Sequence, residues 1–415
     1  MTLRKVLFWL HLAAGVVAGI VIAILCFTGA ALAFETELVE WAERDARRVA
    51  RPSEASQPLP LDDLIARART AAGGAAVTGV TVASDPTTAV SVAFGRELTY
   101  FVNPYTGEAR QPASTAMHDF MHVMVDWHRY LAQKGDDRPL GKAITGVSNS
   151  AFLFLAVSGL YLWWPRQWTR RALRPSLWFV SARGKARDWN WHNVVGFWSL
   201  PILIVLTASG MVISYRWASN LVYRTFGEEP PQQQGPGAFG GPAVSASTPP
   251  AGARPLPTAA LFDAAKHAVP DWETVSLRLG GRGATGPGPT AGRSNEAQPV
   301  TLTVREHDRF PTFGSTTVTV DPLTGEVLDQ TGFAALTPGR QARLWMRWLH
   351  VGQGFGWLGQ LIAGLACVGG LVLVYTGFAL AWRRLIPSRS RRAETSVTTN
   401  LQREVATATP PVRGE

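Results

Sequence analysis

The chain has 415 residues, 46% of them hydrophobic and 17% charged, with 16 Trp and a formal net charge of +10. That charge content is low for a wholly soluble protein, and the near-zero mean hydropathy is low for a wholly embedded one; membrane helices joined by sizeable water-soluble segments are expected. The only two cysteines, Cys26 and Cys367, exclude a disulfide framework, a Cys-x-x-Cys-His attachment site and a four-thiolate iron–sulfur cluster.

Residues 1–34 form the first predicted membrane helix, since the charge-free run Val6–Phe34 exceeds the ~20 residues that cross ~30 Å of hydrocarbon. Arg4-Lys5 and the small-residue step at Ala31–Ala33 raise a cleaved signal peptide, but the run is about twice the usual ~7–15-residue core. A retained helix is expected. Residues 35–139 then carry a charged helical stretch, Glu35–Ala50, a linker Pro52–Pro60, and an amphipathic helix Leu61–Ala72. Alternating runs follow at Val77–Ala83, Ala89–Phe94 and Leu98–Val102, closed by the turn Asn103–Glu108, in which Pro104 fixes φ and Gly107 supplies a left-handed position. This segment is read as a small α+β domain.

Residues 140–165 are the second membrane helix, 166–190 a basic loop, and 191–215 the third helix. Residues 216–350 repeat the helix-then-ladder order with Pro257–Val269, Thr274–Leu279, Val300–Val304, Thr316–Val320 and the turn Asp321–Glu326, making a second α+β domain. Two Pro/Gly-rich inserts, Glu229–Pro257 and Gly280–Pro299, are expected to be mobile loops. Residues 351–382 form the fourth helix and 383–415 a basic tail expected to be disordered. Arg4 and Lys5, the loop's seven Arg and Lys against the single acid Asp188, and Arg383, Arg384, Arg389, Arg391 and Arg392 of the tail mark three cytoplasmic regions by the positive-inside rule. Both termini are then inside, the two domains lie on the far side, and the basic clusters need no nucleic-acid partner.

The chain is written twice. His11-Leu-Ala-Ala-Gly is echoed by His192-Asn-Val-Val-Gly, and Thr28-Gly29 and Ser209-Gly210 follow at the same distance. Leu140-Gly141 through Gly146 matches Leu358-Gly359 through Gly364, and Gly159 and Gly377 stand at the same offset beyond. A tandem duplication of four helices and two outer domains therefore places four His at helix ends. His11 and His192 begin helices that start at the cytoplasmic face; His128 and His350 precede helices that start at the outer face. Each pair supplies two axial imidazoles, so two b-type haems per chain are expected, one near each face. Trp9, Trp127, Trp191 and Trp348 stand beside these His, Arg4, Lys5 and Arg129 suit haem propionates, and Gly15, Gly19 and Gly196 suit either close approach of a porphyrin or helix packing.

Interfacial His and Trp are the bland alternative. Met117, Met121, Met124 and His128 share one helical face, with His118 and His122 beside it. His118, His122, Met121 and Met124 are alternate ligands for haem or copper, against plain packing of Met into the outer domain. His267 and His307 read as surface residues, and no hydrolase motif occurs, so no residue is assigned to covalent or acid–base catalysis.

The helix-one His, the Asx-Pro-x-Thr-Gly turns, His128-Arg-Tyr-Leu131, Gly159-Leu-Tyr-Leu-Trp-Trp-Pro-Arg166 and Trp191-His192-Asn-Val-Val-Gly-Phe-Trp198 together resemble the PepSY-associated transmembrane family over about residues 1–385. That resemblance implies a bacterial inner-membrane protein with periplasmic PepSY-like domains, iron-regulated, of the ferric-siderophore reductase type carrying haem b. A ferric siderophore or other ferric chelate would be the acceptor, and a quinol or cytoplasmic reductase the donor. Members fused to a flavin reductase module have a long C-terminal extension. Here only Arg383–Glu415 follow the last helix, without a Gly-x-Gly-x-x-Gly loop, and the chain is not expected to take hydride from NAD(P)H itself. The competing readings are a non-enzymatic binding or regulatory membrane protein, copper- or quinone-linked electron transfer, and a transporter. The last fits poorly with parallel repeats.

Overall fold

Helix and strand follow the two hydrophobic periods of the sequence. The computed structural model describes residues 2–95, 98–165, 167–231, 254–279 and 298–386. Most of both Pro/Gly-rich inserts, and the tail from 387 onward, lie outside the described residues. In chain order the elements are α1 (Leu3–Leu32), α2 (Glu35–Ala42), α3 (Arg44–Arg47), α4 (Leu61–Ala71), β1 (Gly79–Ala83), β2 (Val90–Phe94), β3 (Leu98–Val102), β4 (Ala109–Arg110) and α5 (Ala116–Tyr130). They continue with α6 (Arg138–Trp163), α7 (Arg170–Leu177), α8 (Gly184–Ser214), α9 (Arg216–Thr225), α10 (Thr258–Ala268), β5 (Trp272–Arg278), β6 (Val300–Glu306), β7 (Thr316–Val320), β8 (Val327–Thr331), α11 (Pro338–His350) and α12 (Gly356–Leu385).

The chain divides into two compact units. The first comprises Met1–Ala30, Asp126–Met211 and Ile362–Glu415 and contains most of α1, α6, α8 and α12. These four helices are long and apolar enough to cross a bilayer, and only 28–33% of the most apolar window of each is buried. Most of their apolar side chains thus face outward, as lipid-exposed helices require. Inside the bundle small residues let the helices approach: a Cβ at Gly370 would lie 2.5 Å from the Cys26 sulfur, and one at Gly19 would lie 2.7 Å from the Phe378 ring. Asn149 donates to the Thr207 carbonyl at 2.9 Å, one polar tie between α6 and α8.

The third long helix starts earlier than the sequence suggests. Gly184, at φ +57°, begins α8, so residues assigned to a loop are helical. The reason is a pair of buried polar side chains. Asp188 accepts from Arg187 at 2.8 Å and from Arg383 at 2.5 Å, joining α8 to α12. Asn190 donates to the carbonyls of Pro175 and Trp178 and accepts from the Val180 amide, holding the segment after α7 against α8. Such ties satisfy backbone groups that the sequence pattern leaves unassigned.

The second unit comprises Ala31–Val125 and Val212–Leu361. Its strands form one antiparallel sheet in the order β4-β3-β2-β1-β5-β6-β7-β8. The two segments read from sequence as separate small domains therefore share a sheet, joined where β1 pairs with β5 in the register Val80 to Leu277. β2 and β7 alternate buried and half-buried residues, which places one face on a core. That core is common to both segments: Leu64 and Ala68 of α4 and Phe262 and Ala265 of α10 pack on Val80, Val92, Val275, Leu302 and Val318. Asp62 of α4 receives the backbone N–H groups of Thr258 and Ala259 at 2.9 and 3.1 Å, an acid at the positive end of α10. Both expected turns form: Asn103 and Asp321 accept from the amides two residues on, and Gly107 and Gly325 adopt φ +72° and +74°.

Candidate cofactor cavity

His11, His192 and His128 each bond a hydroxyl on a neighbouring helix. His11 of α1 points its Nδ1 at the Ser158 hydroxyl of α6, 2.8 Å away. His192 of α8 does so to Thr376 of α12 at 3.0 Å, and His128 at the end of α5 to Thr28 of α1 at 2.8 Å. Each hydroxyl donates its own proton back to the carbonyl four residues earlier: Ser158 to Phe154 at 2.6 Å, Thr376 to Val372 and Thr28 to Ile24 at 2.7 Å. With that proton committed, the oxygen accepts from the ring, so Nδ1 carries the hydrogen and Nε2 keeps its lone pair. This tautomer follows from the bonding network. It is the state a metal-binding imidazole needs.

A glycine follows each hydroxyl. A Cβ at Gly159 would stand 3.4 Å from His11 Cε1, one at Gly29 3.4 Å from His128 Cε1, and one at Gly377 3.7 Å from His192 Cε1. The hydroxyl–Gly step thus bonds the ring and makes room for its edge. Sequence reading noted Thr28-Gly29 and Ser209-Gly210 but missed Ser158 and Thr376, although both show the same two-residue signal. Ser209 likewise donates to the carbonyl four residues back, Val205, at 2.6 Å.

His11 and His192 line one cavity of about 1000 Å³, at the upper end of the size range of cofactor sites. Ile22, Phe152, Leu155, Leu203, Leu373 and Val374 make its apolar walls; Gly15, Gly19 and Gly196 line it as well. Four cations border it: Arg4 and Lys5, which the sequence singled out, and Lys185 and Arg384, which it did not. Arg384 stacks over Phe8 and Trp9 at 4.5 and 5.3 Å, and Arg4 donates to the Leu162 carbonyl at 2.6 Å. The aromatic neighbours are partly different from those expected. Trp9 and Trp189 line the cavity, whereas Trp191 packs edge-on to Phe179 with Arg187 over its ring. Adjacent positions on a helix point about 100° apart, so Trp191 and His192 cannot share a face. Arg129, the other expected propionate partner, lies over Tyr130 at 5.5 Å.

His350 is the last residue of α11 in the second unit. The alternate ligands also belong to that unit. His118 and His122 bring their rings to 4.4 Å, and both oppose the rise that partial burial gives the Glu35 carboxyl. Met121 and Met124 are buried, 1% and 8% exposed, so their thioethers pack inward. Among the described residues no group of three or more His, Cys, Asp or Glu is arranged to hold a metal ion. His267 and His307 are exposed, and His307 bonds the Ser84 hydroxyl at 3.0 Å.

Four apolar crossing helices and an intramembrane cavity flanked by hydroxyl-bonded imidazoles define a multi-pass α-helical membrane protein. The chain belongs to the PepSY-associated TM region family, which matches residues 8–384. No curated protein matches the chain.

Proposed function

We propose that this protein is a di-haem b-type cytochrome that carries electrons across the bacterial inner membrane to a periplasmic ferric chelate. The observation that supports it most is the pairing of His11 and His192 on one apolar cavity, each with Nδ1 bonded to a hydroxyl and Nε2 keeping its lone pair. Haem b bound there would supply a one-electron Fe(III)/Fe(II) couple. His11 and His192 would hold its iron, Ser158 and Thr376 keep their rings in orientation, the apolar walls exclude water, and Arg4, Lys5, Lys185 and Arg384 would meet its propionates. His128, docked on Thr28 in the same manner, and His350 are assigned to the second haem by their repeat-matched positions. The recurring hydroxyl–Gly step and the mirrored strand order favour a tandem duplication with two PepSY-like halves. Basic residues near Arg4, Lys185 and Arg384 favour cytoplasmic termini. A quinol or a cytoplasmic reductase is the donor. The close His118–His122 pair favours copper as the acceptor to test second.

Pyridine haemochrome analysis of protein made with ample haem should give close to two extractable haems per chain, and His192→Ala should remove one. Adding a ferric siderophore to the dithionite-reduced protein should reoxidise it, with Fe(II) captured by ferrozine. Colourless protein would end the haem reading; reoxidation by copper or quinone alone would end the iron assignment.

A further inference from the structure

The β6–β7 connection of the second unit carries a ring that stays outside the sheet core. Phe310 is 67% exposed, yet it is held in place. Its ring packs against Trp345 at 5.8 Å and against Phe355, itself 58% exposed, at 6.5 Å. Phe313, on the same connection, stacks on Trp348 at 5.3 Å and meets Trp345 edge-on at 4.9 Å. Thr312 donates to the Gln353 carbonyl at 3.0 Å, fixing the loop from its other side. These partners set its depth. Gln353 opens the apolar crossing segment Gln353–Leu385, and Phe355 and the exposed Trp357 stand near its start. The Gln353 side chain also donates to Thr36 at 3.1 Å, just past the end of α1, another crossing helix. A loop bonded to Gln353 and stacked on Phe355 therefore lies where those segments meet the bilayer surface, the level at which aromatic residues gather.

A second element repeats the arrangement. α9 begins at Arg216, directly after crossing helix α8 ends at Ser214. Its buried residues Ala218, Ser219 and Tyr223 fall on one side, where Ser219 receives Arg343 of α11 at 3.0 Å. Trp217 and Leu221, one turn apart, fall on the other side and are exposed. Two elements far apart in sequence thus present bare apolar side chains beside the end of a crossing helix. We propose that Phe310 with Phe355, and the Trp217–Leu221 face of α9, are seated in the lipid surface. The sheet unit then rests on the bilayer through one of its own loops as well as through the chain connections. A lipid interface takes aromatic rings and an amphipathic helix face without a shaped pocket, and continuity with the crossing segments makes it the occupant.

The β7–β8 turn supplies the comparison. β7 runs from the β6–β7 connection to that turn, so the exposed Thr324 stands at the far end of the strand. Nitroxide labels on Phe310→Cys, Leu221→Cys and Thr324→Cys, each in the full-length chain with Cys26→Ala and Cys367→Ala, can be read by power-saturation EPR. The protein is held in nanodiscs of phosphatidylethanolamine and phosphatidylglycerol. Oxygen concentrates in lipid and a nickel chelate stays in water. The oxygen-to-nickel accessibility ratio should therefore be several-fold higher at positions 310 and 221 than at 324. A second reading keeps the native cysteines: Phe310→Trp adds emission that lipid brominated near the headgroup should quench and aqueous iodide should not. A ratio at 310 or 221 no higher than at 324, or iodide quenching of the added emission, overturns the proposal. So does a label at 310 shielded from both reagents, because another protein surface would then cover the loop.

Discussion

A hydroxyl that donates its proton along its own helix can only accept from the ring nitrogen facing it, and this small constraint puts the ring hydrogen of His11 and His192 on Nδ1. Thr376→Val keeps the shape but removes the acceptor, so Nδ1 of His192 loses its hydroxyl partner in an apolar site. Haem affinity at that cavity should fall roughly 10–100-fold, the usual cost of deleting an outer-shell partner, and Thr376→Ser should restore it; haem titration of the apo-protein reads both. Were the ring merely packed, Val and Ser would behave alike. The His themselves stood out in the sequence because they recur at matched places in apolar runs. Their partners did not, since Ser158 is 147 residues from His11 and Thr376 is 184 from His192. Local patterning carries no record of contacts across such spans. Lys185 and Arg384 were hidden for a related reason: among so many loop and tail cations, only the approach of the helices singles out the ones that border the cavity.

Asp188 shows how one residue extends an element. Its carboxylate is buried while Arg187 and Arg383 are each more than a third exposed. Removing its charge should cost on the order of 2 kcal/mol, below the ~3–5 of a fully buried pair because solvent screens the partners. Asp188→Asn should lower the melting temperature in detergent and expose the start of α8 to proteolysis near Gly184. An unchanged cleavage pattern would mean that Asn190 alone holds the turn. In the sheet, Phe262 is fully buried among side chains from both segments, and Phe262→Ala should cost about 3–5 kcal/mol. Because the core is shared, amide exchange should accelerate in β2 as much as in β6; protection retained in β2 would mean that the first segment folds alone. The individual strands were legible from period-2 alternation. The seam between β1 and β5 was not, because two edge strands of similar composition offer no local cue to pairing.

The four crossing helices were the most legible part of the chain, as length and continuous apolarity suffice to identify them. Reporter fusions should place the N-terminus and the α7 segment on the cytoplasmic side and the β5–β8 strands on the other; the reverse orientation would overturn the charge argument. A different consequence follows from the seam. Thr81 and Ser276 share a hydroxyl contact at 3.0 Å yet are separated by 195 residues of chain. At ~5–20 residues per second of synthesis, β1 waits roughly 10–40 s for β5. Throughout that interval the strands of the first segment lack both their pairing edge and half of their core, exposed to any passing strand. Biogenesis of this protein should therefore lean on chaperones during a defined window of its own translation, and slowing the ribosome between the two halves should raise its loss to proteolysis.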